Sequence, residues 1–124
     1  MNDHPLKSKV IVFGGSGFLG SHVADLLSEK GFEVLVYDQK PSPYLREDQK
    51  MVVGDILDKE KISKTVAGCE YVYNFAGIAD LDDAATKPFD TIQLNIVGNT
   101  NILEAAVQAK VKRYIFASVT TLLR

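Results

Sequence analysis

The stretch VIVFGGSGFLG, Val10–Gly20, decides how the rest of the chain is read. Four of its seven last residues are glycine (Gly14, Gly15, Gly17 and Gly20), a residue that costs stability inside a helix and packs no core. KVIVF, Lys9–Phe13, is a short β-branched run of the kind that forms a fully buried strand. From Phe18 onward, apolar residues recur at Leu19, Val23, Leu26 and Leu27, the helical period, until Lys30 and Gly31 mark a helix end. The glycines therefore lie in the turn that leads from a strand into a helix.

Two spacings coexist there: Gly15, Gly17 and Gly20 give G-x-G-x-x-G, and Gly14, Gly17 and Gly20 give G-x-x-G-x-x-G. In either register the first glycine makes a turn that a Cβ would obstruct. Gly17 leaves room for a pyrophosphate to approach the backbone, and Gly20 lets the helix pack close to the sheet. Free N–H groups of the first turn, at Phe18 and Leu19, and the positive helix end then face the phosphates. A ligand-free turn needs one or two glycines, so four favour a dinucleotide.

The next strand, FEVLVYD (Phe32–Asp38), ends on a carboxylate 18 residues past Gly20. At that offset a carboxylate accepts from both ribose hydroxyls and repels a 2′-phosphate, which predicts NAD rather than NADP. By itself Asp38 also fits a plain strand-end turn.

Beyond Asp38 the pattern repeats. QKPSPYLRED reads as a loop too short for a long helix, and KMVVGD holds a third strand. LDKEKISKTVAG is a helix with Asp58 near its start and Gly68 at its end. EYVYNFAG (Glu70–Gly77) is a fourth strand and IADLDDAATK an acidic loop. A long helix runs from Pro88 to about Lys110 with Phe89, Ile92, Ile96, Leu103 and Ala106 along one side, and RYIFAS (Arg113–Ser118) is a fifth strand. Short apolar strands alternating with helices predict an α/β fold, a Rossmann-type doubly wound parallel sheet of about five strands. A single domain is expected over residues 9–118, with tails at 1–8 and 119–124.

Composition narrows the partners. The 124 residues are 46% hydrophobic and 24% charged with a net charge of −2, which gives no electrostatic case for nucleic acid or an anionic membrane. No apolar run approaches the roughly 18 residues of a membrane span. The polar start, MNDHPLKSK, is no secretory signal. The single cysteine, Cys69, makes no internal disulfide and reads as a small packing residue at a helix end. A cytoplasmic location is expected. Asp80, Asp82 and Asp83 read as a solvated loop and not as a metal site.

The spacing of Gly14, Gly17 and Gly20, with GD after the third strand, NFAG at the fourth and NIVGNTNILEAA in the long helix, resembles the extended short-chain dehydrogenase/reductase family. Within it, the likeness is to NAD-dependent epimerase/dehydratases acting on nucleotide sugars, of the UDP-glucose 4-epimerase type. The resemblance implies that Asp55 accepts from the adenine amino group and that the Ile56 N–H serves the ring. The alternative for Asp55 is an aspartate that satisfies the next helix. It further implies that Phe75, Ala76 and Gly77 run beside the cofactor ribose, and that Asn95 sits near the central strands and cofactor loop. Asn99 and Asn101 are expected at the surface.

Two features depart from the family pattern. None of the five tyrosines has lysine four residues later, so the catalytic Tyr-x-x-x-Lys is expected beyond Arg124. Ser118 is present, but Val119 stands where the family's catalytic hydroxyl is expected, and the end VTTLLR lacks the usual tyrosine-glycine continuation. No catalytic residue is therefore assigned in this chain. The expected role is the NAD-binding portion of a nucleotide-sugar epimerase or dehydratase, catalytically incomplete, whose sugar contacts come mostly from a second half. In the complete enzyme the resemblance implies a tyrosine base and transient hydride transfer to NAD. The rival is a non-catalytic NAD-binding sensor or interaction module. With the fifth strand as an edge and the long helix uncovered, a homo-oligomer is expected.

Overall fold

The β-branched and aromatic runs pair as strands, all parallel. They are β1 (Lys9–Phe13), β2 (Glu33–Asp38), β3 (Gln49–Val53), β4 (Tyr71–Asn74) and β5 (Arg113–Phe116). A computed structural model describes residues 7–76 and 88–117 of the chain. The sheet order is β3-β2-β1-β4-β5. Strand order reverses between β1 and β4, which puts a crevice at the carboxyl end of β1. Ile11 pairs with Leu35 on one side and Val72 on the other.

Helices cover both faces, as parallel sheets require. Alternation along β1 divides the core. Val10 and Val12 pack with Ala24 and Leu27 of α1 (Phe18–Glu29). Ile11 and Phe13 face the opposite side, with Ile62 and Val66 of α2 (Lys59–Val66) and Ile102 and Ala106 of α3 (Pro88–Gln108). Asp58 caps α2 by accepting from the Lys61 N–H at 3.1 Å, and the turn after α2 passes through Gly68 at φ +85°. Cys69 follows, buried as expected, with its thiol pushed up from 9.0 to about 11 by burial. The segment between β2 and β3 contains turns and bends without a helix.

The helix α3 departs from the expected pattern. Of the side read as apolar, Ala106 is buried, but Phe89 is 76% and Ile96 62% exposed, and Ile92 and Leu103 are exposed as well. The face turned to the sheet is instead built from one large aliphatic residue, Ile102, among small and polar ones, Gly98, Asn101, Ala105 and Ala106. A Cβ at Gly98 would collide with the Ile56 side chain, so close approach replaces bulk as the packing device. Asn99 and Asn101, expected at the surface, are half-buried and buried. Each amide is drawn inward by a partner described below. The turn after the helix passes through Lys110, which takes φ 55° in the place usually given to glycine.

The fifth strand is an edge, as the sequence predicts. It ends at Phe116, so Ser118 and Val119 lie outside the described residues, as do Gly77 and Asp80, Asp82 and Asp83. Among the described residues, no helix is long and apolar enough to cross a membrane.

Candidate functional site

The four glycines have different jobs. Gly14 adopts φ +75°, and a Cβ there would come within 2.7 Å of the Phe75 carbonyl carbon. It is needed both for the left-handed turn and for the close pass of the chain leaving β4. A Cβ at Gly15 would meet Val36 Cγ1 at 2.6 Å, and one at Gly20 would strike the Gly14 carbonyl. Three of the four are therefore explained by the protein's own packing, and their number alone is no argument for a ligand. Gly17 is different. It caps α1 with an extended backbone, φ −79° and ψ 175°, that any residue can adopt, and it makes no side-chain cap bond. A Cβ there meets only the Gly14 carbonyl oxygen, at an ordinary 3.5 Å. Nothing in the described chain requires glycine at this position.

The space beside Gly17 is a cleft of about 280 Å³ at the carboxyl ends of β1, β2 and β4. The predicted residues Gly14, Gly17, Asp38, Ile56, Phe75 and Ala76 line it together with Tyr37, Gln39 and Leu94. Asn95, half-buried, follows Leu94 along α3. Phe18 and Leu19 begin α1 with exposed side chains, Phe18 at 78% and edge-on to His22 with ring centres 4.6 Å apart. Gly20 is buried beneath them.

Asp38 lies at the end of β2, where its Oδ2 accepts from the Ser16 N–H at 3.0 Å. The carboxylate is thus anchored to the glycine loop and keeps further lone pairs for a ligand. Asp55 is not among the residues lining the cleft. Its Oδ1 accepts from the Leu57 N–H at 2.9 Å in the turn before α2, and the residue that caps that helix is Asp58.

Ile56 reaches the cleft because its flanks are pinned. The Tyr37 hydroxyl donates to the Asp55 carbonyl at 2.7 Å, and the Asn101 amide donates to the Ile56 carbonyl at 3.0 Å. Burial, with the carboxylates of Asp58 and Asp55 nearby, pushes the Tyr37 hydroxyl up from 10.0 to about 12, so at neutral pH it is a donor. Phe75 and Ala76 are fixed from beneath by Asn74, whose Oδ1 accepts from the Ala76 N–H at 2.9 Å. Sequence reasoning did not find Tyr37, Gln39, Leu94 or Asn74 as parts of this region. Asn74 enters the sequence reading only as the first letter of NFAG and Tyr37 only as a strand residue, and their polar ends signal nothing until a partner distant in sequence is known.

The sequence and the fold are similar to those of known proteins. The chain is 35% identical over 127 residues to a 3-beta-hydroxysteroid dehydrogenase of Mycolicibacterium neoaurum, covering 95% of this chain and 34% of that protein. The structure resembles the UDP-glucose 4-epimerase of Thermotoga maritima, solved with UDP-glucose, with a TM-score of 0.82 and 31% identity over 87% of this chain and 37% of that one. It also resembles the Brucella ovis UDP-glucose 4-epimerase in complex with NAD, with a TM-score of 0.80 and 31% identity over 88% of this chain and 35% of that one. The chain thus spans about a third of the length of these relatives. The model of the NAD dependent epimerase/dehydratase family matches residues 10–122, and the chain belongs to that family.

Proposed function

We propose that the chain binds NAD(H) in the cleft between Gly17, Asp38 and Ile56, as the cofactor-binding portion of an enzyme acting on a nucleotide sugar. The observation that carries this reading is Gly17: its missing side chain leaves room in the cleft that the protein itself does not use. A pyrophosphate there faces the uncapped first turn of α1, at Phe18, Leu19 and Gly20. The Asp38 carboxylate takes the adenosine ribose. The adenine lies against Ile56, with Asp55 toward its amino group, and Phe75 and Ala76 pass the second half of the cofactor near Asn95. NAD, when bound, supplies a hydride acceptor.

Membership of an NAD-dependent family supports the cofactor, and the nucleotide-sugar enzymes among the structural relatives support the substrate class. The relatives reported above are enzymes, which favours this reading over a sensor. Equilibrium titration of the chain with NAD and NADP tests it. NAD binds at least about tenfold more tightly, the effect of one uncompensated carboxylate–phosphate repulsion of about 1.4 kcal/mol. Equal affinity for the two overturns the role given to Asp38.

A further inference from the structure

Ser16 of the glycine loop is bonded both to the last residue of β2 and to the segment that follows it. The Ser16 N–H donates to Asp38 Oδ2 at 3.0 Å, and the Ser16 hydroxyl donates to the Lys40 carbonyl at 2.7 Å. These contacts join positions 22 and 24 residues apart. A second hollow of about 280 Å³ adjoins the cleft, lined by Ser16, Gly17, Asp38, Lys40, Pro41 and Pro43. Gly17 and Asp38 border both spaces.

We infer that Ser16 is a positioning residue that sets how the cleft receives a dinucleotide and how strongly it rejects a phosphate on the ribose. The inference rests on the reading of the cleft as an NAD site. Ser16 stands between the phosphate cradle at Gly17 and the ribose acceptor at Asp38. Its N–H orients the carboxylate, and its hydroxyl holds the start of the following loop at Lys40. The N–H bond sets the separation of the two subsites and the hydroxyl bond braces the loop that follows Asp38, so a ligand that bridges the subsites meets a site already ordered. The second hollow is the space open to a 2′-phosphate. With the tether in place the Asp38 carboxylate is held at its rim and repels that group. Without the hydroxyl bond, residues 39–43 move more freely, and the Lys40 ammonium offsets part of the repulsion.

The test compares the wild type with Ser16→Ala, which keeps the N–H and removes the hydroxyl, and with Ser16→Thr, which keeps both. Dissociation constants for NAD and NADP are measured for each, with a thermal melt to establish folding. Ser16→Ala is expected to weaken NAD binding about three- to tenfold, the range of one lost hydrogen bond. NADP binding changes less, so the preference for NAD narrows, and Ser16→Thr stays near wild type. If Ser16→Ala fails to fold, Ser16→Cys, of similar shape and a weak donor, is read in the same way. An alanine variant unchanged toward both cofactors overturns the inference. So does one that weakens toward both by the same factor, which marks a merely structural role. A wild type that binds NAD in either case leaves the cofactor reading standing. A wild type that binds no NAD overturns both.

Discussion

Asn74, at the end of β4, donates its side-chain amide to Asn99 Oδ1 on α3 at 2.9 Å, across 25 residues of sequence. The same amide nitrogen donates to the Tyr114 hydroxyl of β5 at 2.9 Å, and Asn74 Oδ1 accepts from the Ala76 N–H. A fully buried side chain thus joins a strand, a helix, the edge strand and the turn that lines the cleft. Buried polar groups are costly when unpaired and orienting when satisfied.

Replacing Asn74 by Leu keeps most of the volume and leaves three half-buried groups, at Ala76, Asn99 and Tyr114, without their partner. At about 1–3 kcal/mol for each group left without a partner, partly relieved where water enters, the loss of stability is about 3 kcal/mol. Urea denaturation of Asn74→Leu measures it. A change within about 0.5 kcal/mol contradicts the network's role.

Alkali weakens the fold through two buried groups. Cys69 and Tyr37 hold their protons more tightly when folded, with values raised from 9.0 to about 11 and from 10.0 to about 12. Their contribution is therefore fully present below about pH 9 and is lost as pH rises, across 9.0–11 for the thiol and 10.0–12 for the phenol. Urea midpoints measured from neutral pH to about pH 11 are expected to fall, and Cys69→Ala to flatten the first part of that fall. A midpoint that does not move with pH contradicts the burial of both groups.

The apolar side of α3 predicts self-association. Phe89, Ile92, Ile96, Leu103 and Val107 are exposed along one helix, and among the described residues β5 is an edge of the sheet. Such surfaces recruit other chains. Sedimentation of the 124-residue chain over a concentration series is expected to show a rising mean mass. A constant monomer mass at high concentration contradicts it.

How much of this was legible beforehand depended on the range of the interaction. The strand–turn–helix around Gly14–Gly20 was readable because glycine placement and apolar period are local. Asp38 was placed at the cleft by its offset, and Asp58 and Gly68 bounded α2 by their capping chemistry. The inward turn of Asn99 and Asn101 was not readable, because their partners, Asn74 and the Ile56 carbonyl, lie 25 and 45 residues away. The apolar stripe of α3 misleads for a related reason. It packs through Gly98 and two alanines, and small residues carry a weak periodic signal beside Phe89 and Ile96. The four glycines, taken together as a ligand signal, divide once neighbours are known into three that serve the chain and one that does not.

The central claim is that the room left by Gly17 is the seat of the cofactor pyrophosphate. Gly17→Val tests it most directly, because the backbone there suits any residue and a Cβ meets nothing nearer than the Gly14 carbonyl oxygen, at an ordinary 3.5 Å. Titration calorimetry with NAD, beside a thermal melt, is the measurement. The account predicts a variant that melts within a few degrees of wild type and has lost NAD binding by about 100-fold or more, a steric exclusion of about 2.7 kcal/mol or above. A folded Gly17→Val chain that binds NAD as tightly as wild type would contradict it.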